Sequence, residues 1–269
     1  MSEESVFTRI ASCADALSLD FTSGEMAKFA ANKGFSEMQL EAVADVLSCL
    51  KDRKEQNAIE TLLRTSRLPM KNPKTFENYD FSRIHGKNAE SLSCLSSITE
   101  VYAGINIAII GPPGVGKTHL AEAYGYKCCN NRLKTYMLKA SELRERLNNA
   151  AKFGKEASAV NFLIKPSCLI IDEVGRCIFD KAATSMFFDI VDRRYQKEGP
   201  HCMILTSNKQ PNEWSEFFSC DDDLRAALDR IFDNAKIITI KGESYRGRKR
   251  EIFAVEAGNL ASDNQAHNE

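Results

Sequence analysis

A glycine-rich run between an apolar segment and a helical pattern carries the clearest chemical signal in this sequence. The run G-P-P-G-V-G-K-T has the G-x-x-x-x-G-K-T spacing of a phosphate-binding loop. Its glycines allow backbone N–H groups to surround phosphate oxygens, and the following helix points its positive end at them. The predicted nucleotide-binding residues are Gly111, Pro112, Pro113, Gly114, Val115, Gly116, Lys117, Thr118 and His119.

Two side chains of this loop are predicted to act directly on ATP and its metal ion. Lys117 should reach the β- and γ-phosphates as a charged donor. Thr118 should supply a hydroxyl oxygen to Mg²⁺, which keeps several waters and needs few protein ligands. The competing interpretation, a glycine turn that leads into an ordinary helix, is disfavoured because the whole motif and both flanking segments agree.

Two carboxylates follow the apolar run C-L-I-I, at the carboxyl end of a predicted strand. A parallel sheet places its ligand crevice at this end of its strands. Asp172 is therefore expected to hold the magnesium shell, and Glu173 to polarise the attacking water, since phosphoryl transfer mainly requires positioning and charge stabilisation. An Asp-Glu pair at the end of a strand is, taken alone, more often part of a solvated turn. The phosphate loop upstream makes the catalytic interpretation the favoured one.

Three further polar residues are candidates for the same chemistry. Asn208 follows the run M-I-L-T-S and is expected to orient the water or contact the γ-phosphate, with a simple turn asparagine as the alternative. Arg230 and Arg246 follow later, and guanidinium groups bind spread phosphate charge bidentately. A surface ion pair of Arg230 with Asp229 or Asp233 is an equally weighted interpretation.

The pattern of the elements explains how these residues meet. From Asn106 onward, short β-rich runs (I-N-I-A-I-I, K-T-Y-M-L, C-L-I-I-D, M-I-L-T-S and K-I-I-T-I) alternate with helical runs. This alternation predicts an α/β fold with a parallel sheet covered by helices. Between Ser23 and Arg67, apolar residues recur at helical spacing, which predicts a short helix ending near Gly34 and a longer one ending before Pro69.

The chain is long enough for one full α/β domain and a small appendage. We expect a helical N-terminal appendage and linker over 1–73 and the nucleotide-binding domain with a short lid over 74–256. The polar, aperiodic segment 257–269 is expected to be a disordered tail.

Composition narrows the class of protein. With 43% apolar and 27% charged residues, and no apolar run near the roughly 18 residues of a membrane span, the sequence predicts no membrane association. No secretory signal is recognisable, so a cytoplasmic location is expected. The nine cysteines and four histidines show no zinc-ligand spacing.

Charge is distributed unevenly although the net charge is only −1. The segment from Lys127 to Lys155 contains eight basic residues and only two acidic ones. Contact with duplex DNA is one interpretation of this stretch, and a solvated charged face is the other.

Taken in order, these motifs resemble the IstB-like transposition helper ATPases, which belong to the AAA+ class and are close to DnaC-type helicase loaders. The resemblance covers about two thirds of the chain. Its most specific part is T-S-N followed by Trp214, an A-x-x-D-R box and G-x-S-Y-R. The residues that carry it are 75–81 (T-F-E-N-Y-D-F), 106–121, 169–175, 192–195 (D-R-R-Y), 204–208, 214, 227–232 and 241–246.

The resemblance implies a P-loop NTPase of the AAA+ class with a small N-terminal helical domain and a short C-terminal lid. It implies that Asn208 is a sensor on the fourth strand, that Arg230 is a finger acting on the neighbouring subunit's ATP, and that Arg246 is a second sensor in the lid.

It also implies a homo-oligomer with ATP between subunits, bound to duplex DNA and assisting a transposase. A loader that opens a replicative helicase ring is the alternative, and the sequence leaves both open. The order of the motifs argues against a third possibility, a small-molecule P-loop kinase.

Overall fold

The computed structural model describes residues 5–84, 92–219, 223–242 and 244. Its N-terminal part contains three helices, α1 (Val6–Ala16), α2 (Ser23–Lys33) and α3 (Glu37–Ser66). Helices α2 and α3 confirm the prediction for this region, and α1 adds a helix to it.

Local signals explain where the two predicted helices begin and end. Thr22 and Ser36 each form a capping box, with Glu25 and Gln39 respectively, so the first free N–H groups of α2 and α3 are satisfied. Gly34 ends α2 in the left-handed conformation that glycine adopts most easily.

The three helices share a small core of their own, separate from the core of the sheet. The C-terminal half of α3 instead packs on the sheet domain through Leu62 and Leu63. An ion pair of 2.9 Å between Arg67 and Glu142 reinforces this junction.

The buried residues of the small core formed by α1, α2 and the first half of α3 are Ile10, Met26, Ala30, Leu40 and Ala44. The predicted boundary at residue 73 stays a prediction.

The described strands form one parallel sheet in the order β2-β3-β4-β1-β5. All five runs predicted as strands are found in it. The strands are β1 (Asn106–Ile110), β2 (Thr135–Lys139), β3 (Cys168–Val174), β4 (Cys202–Ser207) and β5 (Ala235–Thr239).

Helices cover both faces of the sheet, as the alternation predicts. One core places Leu143, Leu163 and Trp214 against β3 and β4, and the other places Leu120 and Tyr124 against β1. The helices are α4 (Thr99–Ala103), α5 (Lys117–Asn130), α6 (Ala140–Lys152), α7 (Glu156–Ile164), α8 (Lys181–Tyr195) and α9 (Asp223–Asp233). Among the described residues, no helix is long and apolar enough to cross a bilayer.

A β-bulge interrupts the pairing of β3 with β4. Ile171 pairs with Leu205, but the next pair is Val174 with Ser207, so β3 carries one extra residue at this point. Glu173 lies in the bulge with φ at 62°, a left-handed conformation that is uncommon for a residue other than glycine. Bulges re-aim side chains, and this one lies at the two predicted carboxylates.

Candidate nucleotide-binding site

The phosphate loop connects the end of β1 to the start of α5 and holds its lysine inward. Lys117 is only 8% exposed. Its Nζ donates to the carbonyls of Gly111 and Pro112, both at 2.8 Å, and to Asn208 Oδ1 at 2.6 Å. The fold therefore brings Asn208, at the end of β4, beside the loop. Phosphate oxygens that enter the loop would compete for these same lysine donors.

Close packing explains two of the loop glycines. A Cβ on Gly111 would overlap the carbonyl oxygen of Ile240. A Cβ on Gly116 would lie 3.0 Å from the ring of Tyr79, and its φ of 93° is also unfavourable for other residues. The loop is thus packed between the end of the sheet and the segment that precedes β1.

Asp172 and Thr118 meet beside the loop in an arrangement suited to a cation. Asp172 is 3% exposed, and its Oδ1 accepts hydrogen bonds from Thr118 Oγ1 at 2.9 Å and Thr206 Oγ1 at 2.5 Å. A carboxylate and a hydroxyl are hard oxygen ligands of the kind that Mg²⁺ prefers. The two predicted metal ligands are therefore brought together, and their chemistry fits magnesium.

Thr206 was missed by the sequence analysis, although it lies within the quoted motif I-L-T-S-N. Its hydroxyl accepts from the backbone N–H of Glu173 at 3.0 Å while donating to Asp172. One β4 side chain therefore fixes both residues of the β3 bulge.

Glu173 lies on the rim of the same cavity, but two cations hold its carboxylate. Arg176 Nη1 donates to Oε1 at 2.6 Å, and Lys139 Nζ lies 3.5 Å from Oε2. Partial burial raises the pKa of Glu173, but Arg176 and Lys139 outweigh it and hold the pKa below the ordinary glutamate value. Glu173 is thus kept ionised, and its carboxylate, which has about four acceptor positions, can accept a further hydrogen bond while it holds both cations.

The segment before β1 forms the opposite wall of the cavity and was not assigned a ligand-binding role from the sequence. His119 Nε2 lies 3.0 Å from the carbonyl of Thr75 and 2.8 Å from Asn78 Oδ1, and the Tyr79 ring meets the His119 ring edge-on at 5.0 Å. Burial lowers the pKa of His119; the Thr75 carbonyl opposes this effect and the charge of Lys74 adds to it. The motif T-F-E-N-Y-D-F, residues 75–81, contains Thr75, Asn78 and Tyr79 and was the sequence signal that could have identified this wall.

These walls enclose a cavity of about 420 Å³. This volume lies in the range of pockets for small molecules and cofactors. The lining residues are Lys74, Asn78, Tyr79, Asp80, Pro113, Gly114, Gly116, Lys117, Thr118, His119, Glu173, Arg176, Thr206, Ser207 and Asn208. Val115 is buried in the core instead, at 1% exposure.

Arg230 is not part of this cavity. It lies in the last turn of α9, and Nη1 is 2.8 Å from Asp192 Oδ1. The surface ion pair expected as the alternative for Arg230 is present, but its partner is Asp192 of α8 and not Asp229 or Asp233; Asp233 instead accepts a hydrogen bond from Tyr195. Arg246 and the predicted tail, 257–269, lie outside the described residues.

Several residues of the basic stretch have partners within the fold. Lys139 pairs with Glu173, and Arg132 lies 3.5 Å from Glu55. The guanidinium carbon of Arg146 lies 4.0 Å from the centre of the Phe162 ring. Lys152 and Lys155, at and beyond the end of α6, are exposed. The excess of basic residues counted in the sequence is therefore larger than the number of cations in this stretch that are exposed and have no partner in the fold among the described residues.

Comparison with known proteins places the chain in a family. The model of the IstB-like ATP binding protein family matches residues 14–252. A protein of Geobacillus stearothermophilus named as an ATP-binding protein of insertion sequence IS5376 is 35% identical over 199 residues, 74% of this chain and 77% of the relative. Its counterpart from IS21 of Pseudomonas aeruginosa is 33% identical over 202 residues, 75% of this chain and 74% of the relative.

Solved structures show the fold. Domain III of the replication initiation protein DnaA from Thermotoga maritima is similar with a TM-score of 0.51 and 22% identity, covering 65% of this chain and 69% of that one. DnaI is similar with a TM-score of 0.51 and 18% identity, covering 64% of this chain and 90% of that one. These similarities confirm the predicted α/β fold with a parallel sheet covered by helices, and the match over residues 14–252 shows that the chain belongs to the IstB-like ATP-binding protein family.

Proposed function

We propose that this protein is a magnesium-dependent ATPase that assists the transposase of an insertion sequence, working in the cytoplasm as a homo-oligomer on duplex DNA. The observation that carries the proposal is that Lys117, Thr118 and Glu173 line one cavity, with Asp172 hydrogen-bonded to Thr118 beside it, in a chain of this family. Relatives named after insertion sequences favour the transposition role.

Five residues at or beside the cavity have roles in the proposed hydrolysis. Lys117 exchanges its bonds to the loop carbonyls and Asn208 for bonds to the phosphates. Thr118 and Asp172 would hold Mg²⁺, which supplies positive charge against the phosphate oxygens when bound. Glu173 accepts the proton of the attacking water, whose oxygen bonds to the γ-phosphorus as the bond to the bridging oxygen breaks and ADP leaves, and Asn208 orients that water.

The position of Arg230 supports a site completed by a second subunit. The side-chain amide of Asn106, the first residue of β1, donates to the carbonyl of Ile231 at 3.1 Å, so the end of α9 lies at the amino end of the strand. The phosphate loop follows the carboxyl end of that strand. Five residues of strand extend about 16 Å. Arg230 would therefore serve the nucleotide of a neighbour and not its own.

The helicase-loader alternative has weaker support. The solved structures that resemble this chain show the fold alone, at 18% and 22% identity. The curated relatives at 33% and 35% identity are instead named as ATP-binding proteins of insertion sequences. Transposition assistance is therefore the function we propose.

Two substitutions test the nucleotide chemistry. Lys117→Ala should abolish nucleotide binding, because it removes the charged donor held in the loop. Glu173→Gln should bind ATP as the wild type does and hydrolyse it at least about 100-fold more slowly, since a general base typically contributes about 10² to 10⁴ in rate. Binding is measured with a fluorescent ATP analogue, and hydrolysis by phosphate release. Normal hydrolysis by Lys117→Ala would contradict the assignment of the phosphate loop as the ATP site.

The transposition role needs a separate measurement. Purified transposase of the same insertion sequence should join DNA ends faster when wild-type protein and ATP are present, and Lys117→Ala should give no such increase. If strand joining is unaffected while a replicative helicase is loaded onto single-stranded DNA, the loader alternative is correct.

A further inference from the structure

The motif D-R-R-Y, residues 192–195, ends α8 and has no role in the nucleotide cavity. Its third residue anchors the helix end. Arg194 is 2% exposed, and burial lowers its pKa to about 10. Its guanidinium donates to the backbone carbonyls of Leu163, Ile164, Pro166, Ser167 and Cys202. The last turn of α8 is therefore fixed to the loop before β3 and to the start of β4.

Two polar contacts connect this anchored turn to α9. Asp192 Oδ1 lies 2.8 Å from Arg230 Nη1, and Tyr195 Oη donates to Asp233 Oδ2 at 3.0 Å. The two residues of each helix are three positions apart, so each pair shares one helix face. The two contacts thus lie side by side across the helix junction.

The Asp192 contact leaves the guanidinium available to a ligand. Oδ1 of Asp192 is buried, and its contact with Arg230 is an ion pair without the alignment of a hydrogen bond. A guanidinium has five N–H donors, and Nη1 is the group nearest Asp192. Arg230 is 41% exposed and borders a cavity of about 590 Å³, together with Tyr195 and His201. The acid can orient the arginine while other donors face outward.

We propose that Asp192 is a positioning residue for Arg230, and that Tyr195 supports it by fixing the end of α9 through Asp233. This inference rests on the proposed action of Arg230 on the neighbouring subunit's ATP. An unrestrained arginine side chain has many rotamers, and the ion pair selects among them. Placement matters because an error of about 1 Å in a reacting group can cost about 100-fold in rate.

The test begins with Asp192→Asn, which keeps the shape of the side chain and removes its charge. In saturating ATP and DNA, kcat should fall at least about tenfold, while KM for ATP and binding of a fluorescent ATP analogue stay at wild-type values. Asp192→Glu should recover part of the rate. Asp189→Asn is the matched control, because Asp189 is equally exposed and pairs with Arg193 at 2.6 Å on the same helix. This control should retain wild-type kcat.

Mixed assemblies separate positioning from general damage. Asp192→Asn subunits retain Glu173, and Glu173→Gln subunits retain a correctly held Arg230, so mixing these two should recover activity at shared interfaces. Mixing Asp192→Asn with Arg230→Ala should recover none, because both defects affect the same donated group. Formation of mixed assemblies is checked by mass.

Each other result overturns the inference in an identifiable way. Wild-type kcat in Asp192→Asn, with a large loss in Arg230→Ala, rejects the positioning role and leaves the proposed function intact. If mixing Asp192→Asn with Glu173→Gln subunits recovers no ATP hydrolysis, the Asp192→Asn subunit is damaged as a whole, and the positioning role is rejected. Wild-type kcat in Arg230→Ala rejects the shared site, and the role of Asp192 with it.

Discussion

His119 connects the phosphate-loop helix to the wall formed by the segment before β1. Its Nε2 contacts the Thr75 carbonyl and Asn78 Oδ1, and the Tyr79 ring packs against it. A neutral ring is favoured here because burial lowers the pKa of His119 below the ordinary histidine value. This residue therefore makes the cavity wall sensitive to pH.

The sign of that sensitivity follows from proton linkage. Just below the ordinary histidine pKa of about 6.5, the unfolded chain binds a proton that the folded chain resists, so stability falls as pH falls through this window. His119→Gln removes this contribution. The drop in urea midpoint from pH 7.5 to pH 5.5 should be smaller in the variant than in the wild type. An equal drop would mean that His119 does not contribute.

At the scale of elements, α6 carries three cations of the basic stretch that is expected to contact DNA, Arg144, Arg146 and Lys152. Arg146 is a poor site at which to test this, because its guanidinium lies over the Phe162 ring and 3.4 Å from the hydroxyl of Tyr136. Charge reversal there would remove a cation–π contact worth about 0.5 to 2 kcal/mol. Arg144 lies 3.5 Å from the carbonyl of Ile178 and is also half-buried.

Lys152 and Lys155 are better probes because both are exposed. Lys152→Glu combined with Lys155→Glu should weaken duplex binding and reduce the slope of log affinity against log salt by up to about 2, since each phosphate contact contributes about 0.9. Nucleotide binding should not change. The matched control is Lys28→Glu with Lys33→Glu, on exposed positions of α2. Binding is measured by fluorescence anisotropy across a salt series.

Equal losses in the two double variants would indicate a general charge effect. Unchanged binding in the α6 variant would place the DNA surface elsewhere.

Helix α8 is the second element of interest, because it runs from the turn after Glu173 to the contact with Arg230, two residues with proposed roles. It starts after the turn that carries Arg176, where the Asp180 side chain caps it by accepting from the N–H of Ala183. It ends at the D-R-R-Y turn that contacts Arg230. Fifteen helical residues extend about 22 Å. One rigid element thus joins the loop after Glu173 to the arginine at the other end of the sheet.

For the whole molecule, the separation of Arg230 from the phosphate loop predicts that activity belongs to interfaces. Arg230→Ala alone should lose at least about 10³ in rate. In an equal mixture with Glu173→Gln subunits, about a quarter of the interfaces should be active. An active interface needs an intact Glu173 from one subunit and an intact Arg230 from its neighbour, and each is intact in half of the subunits. Phosphate release is measured as the ratio is varied, with subunit exchange verified by mass. Failure to recover despite exchange would reduce Arg230 to a structural ion pair.

The sequence by itself determined the fold class and the phosphate loop. All five strands and the boundary at Gly34 follow from local patterns, because apolar periodicity and glycine conformations act over a few residues. The same is true of Lys117 and Thr118, whose motif lies within one strand-loop-helix unit. The pair Asp172–Glu173 was located because strand ends of a parallel sheet share one edge.

Tertiary structure decided the contacts between residues far apart in the chain. Thr206 fixes the bulge at Asp172 and Glu173 only because β4 pairs with β3, and no local pattern marks a bulge that one extra residue creates. The partner of Arg230 was likewise misassigned to its own helix, because ion pairs depend on which helices pack together and not on sequence distance. Interactions between residues close in sequence determine the helices and strands, so the sequence alone predicts them. The partners of side chains depend on how those elements pack, which only the folded chain defines.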